Sequence, residues 1–362
     1  MTPNPGGVES FLMNYYRKID RNKIHFDFLC NTHNEIAYQD EIKSLGGKIF
    51  RIPMRSKHPL RYRILLKKFF KQNSKNYDAI WVNVNSLANI DYLKLAKKYG
   101  IQKRIIHSHN SQNMDSKLRG LLHNYNKKKI TKYATDFWAC SHSAARWFYN
   151  KKLMSKVKII PNAIDLDRVK YNKTKRDQIR KKYNLKSSYV LGNIGRLHFQ
   201  KNQSFALDIM HELIEFIPSA QLILVGDGPD RKKLGEKVER LNLKKNVLFV
   251  GKQKDIAAWL SAFDLFLFPS KFEGLPIAGL EAQGNGVPIL TSENIFEKDA
   301  ILNSNLEELS LNKDDSKKWA KMILTMKRNS ARLSSKKIKY NFSHSNYEIN
   351  NEIKKLESDL LS

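Results

Sequence analysis

Residues 265–282 read LFLFPSKFEGLPIAGLEA, and this stretch decides the fold of the second half of the chain. Four apolar residues typical of a buried strand lead through a short loop into an amphipathic helical pattern that opens at Pro276. Proline suits the first turn of a helix because its missing N–H would have no partner there. A strand that passes through a short loop into a helix is the repeating unit of a parallel α/β sheet.

The same alternation runs through the whole chain. Strands are predicted at 24–30, 48–53, 79–83, 104–108, 136–140, 157–160, 189–194, 221–225, 247–250, 265–268 and 288–291. Helices are predicted at 9–18, 61–73, 89–99, 117–132, 142–151, 202–214, 230–241, 255–261, 276–284 and 315–328. Such alternation predicts parallel sheets with right-handed crossovers. We therefore expect an α/β protein of two Rossmann-like, doubly wound domains that face each other across a cleft.

A chain of 362 residues is long enough for two domains. The boundary is predicted at the segment PNAID, residues 161–165, which the polar stretch 171–176 follows. This gives an N-terminal domain at 1–165, a C-terminal domain at 166–340 and a final segment at 341–362. Apolar residues at helical spacing predict that the final segment is a helix that packs back on the N-terminal domain: Ile349, Ile353, Leu356 and Leu360.

The net charge of +30 is concentrated in the N-terminal half, where residues 1–160 hold 31 Lys and Arg against 10 Asp and Glu. Such a field attracts membrane lipid, nucleic acid or phosphorylated substrates. Nucleic-acid binding would also need exposed aromatic residues on a sheet or a recognised helix motif, and the sequence shows neither, so no nucleic-acid partner is expected. A solvated basic surface is the simpler alternative.

Residues 55–71 mix cations with aromatic side chains, namely Tyr62, Phe69 and Phe70. We interpret this segment as a face that meets an anionic membrane surface, with further cations from Lys127, Lys128, Lys129 and Lys132. The alternative is an amphipathic core helix with a solvated basic face. No window approaches 18 consecutive apolar residues, and the N-terminus does not resemble a signal peptide. We therefore expect a cytoplasmic protein bound peripherally to the inner face of the cell membrane.

The two cysteines, Cys30 and Cys140, end apolar strand-like runs and lie far apart in the sequence. This pattern favours buried, reduced thiols over a disulfide framework. No zinc-type spacing is present.

Residues 192–202 read GNIGRLHFQKN and directly follow a predicted strand. Arg196 and Lys201, placed above a helix N-terminus, make a cation pair suited to a diphosphate. Two ordinary surface cations are the alternative. A second turn, GDGP at 226–229, follows the next strand. Its glycines permit close approach of another backbone or a ligand, and a plain tight turn is an equal alternative.

Two carboxylates lie eight positions apart, Glu273 in the loop and Glu281 on the predicted helix. They can accept hydrogen bonds from two separate sets of hydroxyls, such as those of a sugar and of a ribose. The amides of Gly274 and Leu275 are expected to point at the cleft. The alternative is a capped amphipathic helix with one solvated glutamate.

A histidine pair, His107 and His109, lies where a predicted strand enters a polar loop. We prefer His109 as the functional residue because it lies further beyond the strand. A His-x-His pair also resembles metal ligation, but no third ligand is evident in the sequence, so no metal is expected. A histidine that bonds a loop carbonyl is the structural alternative.

Taken together, these motifs resemble those of the retaining family-4 glycosyltransferases of the GT-B fold. Glu273 and Glu281 match the E-x7-E motif of that family, and residues 195–202 resemble its G-R-L-x3-K-N donor segment. Residues 161–165 resemble its P-N-G-[IV]-D segment with Ala163 in place of glycine, and residues 6–9 resemble its N-terminal G-G-x-E loop. The similarity covers essentially the whole chain and looks closest to the branch that assembles bacterial capsular or exopolysaccharide units.

The resemblance implies roles for these residues. Arg196 and Lys201 would hold the donor diphosphate, and Glu281 would bind the ribose. Glu273 would contact the transferred sugar, with His109 beside it. The implied catalytic residues are thus His109, Glu273, Arg196 and Lys201, and the donor-binding residues are Gly7, Arg196, Lys201, Gly274, Leu275, Pro276 and Glu281.

The resemblance also implies the reaction, the retaining transfer of a hexose or N-acetylhexosamine from a nucleotide-sugar to a lipid-linked or saccharide acceptor in surface-polysaccharide biosynthesis. UDP is the expected nucleotide and GDP the alternative. No cofactor is expected. One departure is that the family begins with a strand before the Gly-Gly loop, whereas residues 1–5 offer no apolar run. A truncated or inactive glycosyltransferase-like protein is therefore one alternative. A GT-B sugar-nucleotide epimerase is another, although such an enzyme should lack the full set of donor motifs.

Overall fold

The computed structural model describes residues 1–112, 116–185, 188–312 and 315–362. The chain forms two compact units, one of Met1–Ala163 with Ile349–Ser362 and the other of Ile164–Glu348. The boundary was predicted between residues 165 and 166. In the structure it lies between 163 and 164, and the last helix belongs to the first unit. Within the described residues, no helix is both long and apolar enough to cross a membrane.

The first unit has its strands in the predicted order, and it contains one helix, at residues 39–44, that was not predicted. Its strands are β1 (Phe28–Cys30), β2 (Ile49–Arg51), β3 (Ala79–Val84), β4 (Lys103–Ser108), β5 (Asp136–Ala139) and β6 (Val157–Ile159). Its helices are α1 (Gly7–Lys18), α2 (Gln39–Ser44), α3 (Pro59–Asn73), α4 (Asp91–Lys98), α5 (Lys117–Lys127), α6 (His142–Phe148) and, at the end of the chain, α15 (Ile349–Leu361). All strand pairs of this unit are parallel.

The strands of the first unit form two sheets, β1–β2 and β3–β4–β5–β6. Residues 1–6 contain no strand and lead directly into α1. The starts of β1 and β3 are joined by side chains. The rings of Phe26 and Trp81 lie 5.8 Å apart, and the Tyr77 hydroxyl donates to Asp27 Oδ2 at 2.7 Å.

Helix α1 is hydrogen-bonded to the segment that follows β6, the last strand of the four-stranded sheet. The Tyr15 hydroxyl donates to the Pro161 carbonyl at 2.8 Å, and Asn14 Nδ2 donates to the Ala163 carbonyl at 3.0 Å. Helix α15 packs in the same unit with the buried residues Ile349, Ile353 and Leu356.

The aromatic side chains of helix α3 lie elsewhere than the interpretation of residues 55–71 placed them. Tyr62 and Phe70 are buried in a core cluster with Leu66, and Phe69 is half-buried against it. The prediction that these aromatic residues belong to a lipid-facing surface was therefore wrong, because the helix turns its aromatic stripe toward the core. Leu60 and Ile64 are instead its exposed apolar residues. Cys30 and Cys140 are buried free thiols, as predicted.

The second unit holds one sheet. Its strands are β7 (Val190–Ile194), β8 (Gln221–Val225), β9 (Val247–Gly251), β10 (Leu265–Phe268), β11 (Ile289–Ser292) and β12 (Leu306–Leu309). Its helices are α7 (Leu166–Val169), α8 (Lys173–Lys182), α9 (Gln203–Leu213), α10 (Arg231–Arg240), α11 (Ile256–Ala262), α12 (Ile277–Asn285), α13 (Ser316–Asn329) and α14 (Ser335–Ser343).

Strand order in this sheet is β12-β11-β10-β7-β8-β9, and every pair is parallel. The order reverses between β10 and β7, because β8 and β9 extend to one side and β11 and β12 to the other. In open parallel sheets, ligands bind beyond the carboxyl ends of the strands at such a reversal. The loops that follow β7 and β10 are therefore the positions from which a site can be built.

The polar stretch 171–176, which the sequence assigned to the boundary, begins helix α8 instead. Asn172 caps this helix by accepting a hydrogen bond from the Lys175 amide at 2.9 Å. The prediction missed the helix because ion pairs, not an apolar stripe, attach it to the unit.

Asp264, directly before β10, receives those ion pairs. Arg176 Nη2 contacts Asp264 Oδ1 at 2.5 Å, and Arg180 Nη2 contacts Asp264 Oδ2 at 2.9 Å. Burial by itself would raise the pKa of Asp264, but the hydrogen bonds from Arg180, Arg176 and the backbone outweigh burial and lower it below 3.8. One carboxylate thus joins α8 to the central strands.

We predict that Asp264→Asn lowers the free energy of unfolding by about 3 kcal/mol, since it leaves two partly buried guanidinium groups without their counter-charge. The depressed pKa means that this stabilisation is fully present above the unfolded value of about 4 and is lost as the pH falls through the folded value. Urea unfolding at several pH values tests this. Wild type should lose stability faster than the variant below pH of about 4, and parallel curves would contradict the assignment.

Candidate functional site

The loop after β7 carries Arg196 and is fixed by the neighbouring loop after β8. The Gly195 amide donates to the Val225 carbonyl at 3.0 Å. Gly226 has φ +137, and a Cβ there would lie 2.0 Å from the Gly195 carbonyl oxygen. A Cβ on Gly228 would lie 2.2 Å from the Leu197 carbonyl oxygen. The close approach that both glycines permit is therefore to the backbone of the Arg196 loop.

The buried side-chain amides of Asn193 and Gln203 also hold the loop that carries Arg196. Gln203 Nε2 donates to the Arg196 carbonyl at 3.1 Å and to Asn193 Oδ1 at 3.2 Å. Asn193 Nδ2 donates in turn to the Leu267 carbonyl of β10 at 2.9 Å. Both side chains are 1% exposed. The sequence prediction missed this network, although two amide residues beside a glycine-rich strand end are a signal for it.

Lys201 and Glu273 form an ion pair. Lys201 Nζ lies 2.7 Å from Glu273 Oε1, and their side chains are 17% and 8% exposed. The same ammonium lies 4.9 Å from the centre of the Phe268 ring, at the end of β10. Two residues predicted to act on different parts of a ligand are therefore in direct contact. The Arg196 side chain is exposed and makes no hydrogen bond or ion pair with the described residues.

Gln200 ties the two loops together and was also missed by the prediction. Its Nε2 donates to the Phe272 carbonyl at 2.9 Å and to Glu273 Oε2 at 3.4 Å. The backbone carbonyl of Gln200 accepts a hydrogen bond from the Lys271 amide at 2.8 Å. Glu273 is therefore held at both carboxylate oxygens.

Glu281 lies on the second turn of α12 and is half-buried. Pro276 is the N-cap of this helix, with φ −78 and ψ 101, so the helix begins one residue later than predicted. Gly274 and Leu275 are buried in the connection before it. The loop residues and the helix thus follow β10 in the order that the motif predicted.

In the first unit, His107 and His109 differ in burial. His107 lies inside β4, fully buried, and its Nδ1 accepts from Trp81 Nε1 at 3.3 Å. His109 lies just after β4, half-buried, with Nε2 2.8 Å from Asn83 Oδ1. Burial lowers the pKa of His109 to about 3, so the imidazole is neutral at pH 7. Because Asn83 Oδ1 can only accept, the proton of His109 is assigned to Nε2.

Gly7 is the first residue of α1 and is exposed. A Cβ at this position would meet nothing within 4 Å, so no described neighbour requires a glycine there. Gly6 is different, since a Cβ on it would lie 2.9 Å from Glu9 Oε2.

No group of three or more His, Cys, Asp or Glu side chains comes together within the described ranges in a way that could hold a metal ion. The absence of a metal from the reaction stays a prediction.

Two family profiles match the chain. Glycosyltransferase Family 4 matches residues 5–168, and Glycosyl transferases group 1 matches residues 175–343. EpsF of Bacillus subtilis (strain 168), which is named as a glycosyltransferase, is 33% identical over 304 residues, 82% of this chain and 78% of that protein. The chain belongs to the family-4 and group-1 glycosyltransferases. It is therefore a transferase enzyme.

Other relatives and structures agree with this assignment. The capsular polysaccharide biosynthesis glycosyltransferase CapH of Staphylococcus aureus is 27% identical over 372 residues, 99% of this chain and 96% of that protein. The crystal structure of Anabaena Alr3699/HepE in complex with UDP and glucose has a TM-score of 0.80 at 18% identity and covers 100% of this chain and 97% of that chain. The predicted GT-B fold, built from two Rossmann-like units, is thereby confirmed.

We predict that Lys201 and Glu273 of this glycosyltransferase are energetically coupled in the absence of any ligand. Glu273→Gln should destabilise the protein by about 3 kcal/mol, because it leaves a mostly buried ammonium without its partner. The double variant Lys201→Met/Glu273→Gln should lose less unfolding free energy than the sum of the losses in the two single variants.

A double-mutant cycle by urea unfolding measures this coupling, which is expected at about 1–3 kcal/mol. The exposed pair Lys175–Asp255, also at 2.7 Å, is a matched control. Its coupling should stay below about 1 kcal/mol. Equal coupling in the two cycles would show that burial adds nothing at Lys201 and Glu273.

Proposed function

We propose that this glycosyltransferase moves a hexose or N-acetylhexosamine from a UDP-sugar to a lipid-linked or saccharide acceptor, with retention at the anomeric carbon, in surface-polysaccharide biosynthesis. The observation that carries the proposal is the contact of Glu273 with Lys201, on the same loop as the exposed Arg196, at the strand-order reversal of the second unit's sheet. A diphosphate is bound by cations and a sugar by hydrogen-bond acceptors. The loops after β7 and β10 supply the cations Arg196 and Lys201 and the acceptor Glu273.

The leaving diphosphate gains negative charge as its bond to the anomeric carbon breaks. Arg196 and Lys201 stabilise that charge in the proposed mechanism, so that no divalent ion is required. The acceptor hydroxyl forms the new bond on the same face, and its proton passes to the oxygen of the leaving phosphate. Glu273 accepts hydrogen bonds from the sugar hydroxyls, and Glu281 does so from the ribose. The Gly7 amide and the backbone of Gly274, Leu275 and Pro276 are donor contacts in this proposal.

His109 contributes to the proposed mechanism as a neutral group. With a pKa of about 3, its imidazole carries no charge at pH 7. Its Nε2 proton is already shared with Asn83, and Nδ1 remains as a hydrogen-bond acceptor for a sugar hydroxyl. Binding and orientation of the sugar, not proton transfer, are therefore the role we assign to it.

The names of related proteins support the donor and the acceptor. A relative from Escherichia coli, 33% identical over 183 residues that make up 49% of this chain and 47% of that protein, is named UDP-Gal:alpha-D-GlcNAc-diphosphoundecaprenol alpha-1,3-galactosyltransferase. That enzyme uses a UDP-sugar and a lipid-diphosphate acceptor by its name. A donor and an acceptor of the same chemical classes are the ones we propose here.

The experiment is transfer of label from a panel of radiolabelled UDP- and GDP-sugars to a membrane extract. We expect one UDP-sugar to label the lipid fraction, with or without EDTA. Loss of transfer in EDTA would contradict the metal-free mechanism. Release of an epimerised donor sugar without labelled lipid would indicate a sugar-nucleotide epimerase instead.

Arg196→Ala and Lys201→Ala should each lower kcat/KM by about 30- to 1000-fold, corresponding to about 2–4 kcal/mol of transition-state stabilisation. Lys233→Ala removes an exposed cation on α10 and serves as the matched control with unchanged turnover. Wild-type turnover in either of the first two variants would refute the diphosphate role.

We also propose that the enzyme lies peripherally on an anionic membrane at the inner face of the cell. The support is the charge of the first unit, where residues 42–77 contain eleven Lys and Arg and no Asp or Glu. Arg61, Arg63, Lys67, Lys68 and Lys71 are all exposed on α3. A lipid-linked acceptor would be presented at the same surface.

Sedimentation with vesicles tests the membrane association. Binding to vesicles that contain phosphatidylglycerol should exceed binding to purely neutral vesicles, and it should weaken as salt is added. The variant Lys67→Glu/Lys68→Glu/Lys71→Glu should bind less well at low salt. Equal binding to both kinds of vesicle would remove the claim.

A further inference from the structure

Helix α5 (Lys117–Lys127) buries polar side chains and exposes most of its large apolar ones. Its buried residues are polar, with His123 and Asn126 at 3% and 7% exposure. Three of its four large apolar residues point outward, with Leu118, Leu121 and Tyr125 exposed at 66%, 68% and 57%, and the fourth, Leu122, is half-buried. A surface helix of a globular domain normally has the opposite arrangement, with its apolar stripe on the core. The outer face of α5 therefore lacks an explanation within the folded unit.

The polar contacts beneath α5 fix this orientation. His123 Nδ1 accepts from the Leu87 amide at 3.1 Å, and Asn126 Nδ2 donates to the Leu87 carbonyl at 2.7 Å. The His123 ring stacks on Trp147 with centroids 4.3 Å apart. Lys127 Nζ donates to the Trp147 carbonyl at 2.6 Å.

Burial, assisted by Lys127, lowers the pKa of His123 to about 4, so the ring is neutral and keeps its acceptor nitrogen at pH 7. Rotating α5 to hide its leucines would break both bonds to Leu87. It would also leave the polar groups of that backbone without partners, which is costly in a buried site.

The apolar side chains form one stripe, since positions 118, 121 and 125 share a helix face. Cations surround the stripe. Residues 116–135 contain six Lys and Arg and no Asp or Glu, and Lys129 Nζ lies 3.9 Å from the centre of the Tyr125 ring. A stripe of leucine and tyrosine flanked by lysine and arginine is the composition of helices that lie in the interface of an anionic membrane.

A second copy of the chain fits this face less well. A two-fold contact through α5 would place the cations of one copy against those of the other, with no carboxylate within residues 116–135 to separate them. Anionic lipid headgroups supply the missing negative charge, and the acyl region receives the apolar side chains.

We propose that α5 inserts Leu118, Leu121 and Tyr125 into the interface of an anionic bilayer, while its lysines and arginines contact the lipid headgroups. This inference rests on the membrane association proposed above and names the element that adds hydrophobic insertion to charge attraction.

The test uses the full chain and the variant Leu118→Ser/Leu121→Ser/Tyr125→Ser, which leaves every cation in place. Its partition onto vesicles of phosphatidylglycerol and phosphatidylcholine should fall by at least about tenfold. The difference from wild type should persist at high salt, where the attraction of the cations is screened. Phe216→Ser is the matched control, because Phe216 is also 57% exposed but lies beside Glu212 and Glu215. This control should bind as wild type does.

Two results would overturn the inference. One is a triple variant that partitions as strongly as wild type. The other is a wild-type protein that sediments as a dimer while the triple variant is a monomer with unchanged vesicle binding, which would show that a second copy covers the stripe. Transfer to a detergent-dispersed acceptor should be equal in wild type and variant, so that failure of the transferase proposal is seen separately. Thermal unfolding should also match, because all three substituted side chains are exposed.

Discussion

The ion pair between Lys201 and Glu273 is the contact on which the second unit's site depends. It joins the loop that leaves β7 to the loop that leaves β10, at the two strands between which the sheet order reverses. Gln200 adds two more bonds between the same loops. A ligand that enters here meets groups already fixed in position, which lowers the ordering cost of binding.

Support for this ion pair comes from groups with no chemistry of their own. Gly226 and Gly228 let two loops touch through their backbones, where any Cβ would collide with a carbonyl oxygen. Asn193 and Gln203 bridge β10, β7 and the Arg196 loop through buried amides. Asn202 adopts φ +54 at the start of α9, a left-handed conformation that asparagine tolerates better than most residues. The spacing of Arg196 and Lys201 thus depends on glycine and amide residues to which we assign no contact with a ligand.

Two helices of the basic N-terminal half, α3 and α5, combine cations with apolar residues but bury different side chains. On α3, the aromatic residues complete a core, and the exposed face carries the cations together with Leu60 and Ile64. On α5, buried amide and imidazole groups form hydrogen bonds with the backbone at Leu87, and most of the large apolar side chains are exposed. Both segments combine cations with apolar residues, yet α3 buries Tyr62 and Phe70 whereas α5 exposes Tyr125. Composition alone does not separate these two cases.

The sequence by itself determined the α/β class, the order of most of the elements and the residues of the donor motifs, because strand periodicity and glycine positions are local properties. It did not predict α2, α7, α14 or β12. It missed α8, whose attachment through Asp264 to Arg176 and Arg180 leaves no apolar pattern to read. Only the tertiary structure decided that the loops of Lys201 and Glu273 are neighbours. The residues are 72 positions apart, and the contact follows from β10 pairing with β7. Strand order is a long-range choice made by packing, and for that reason no single segment encodes it.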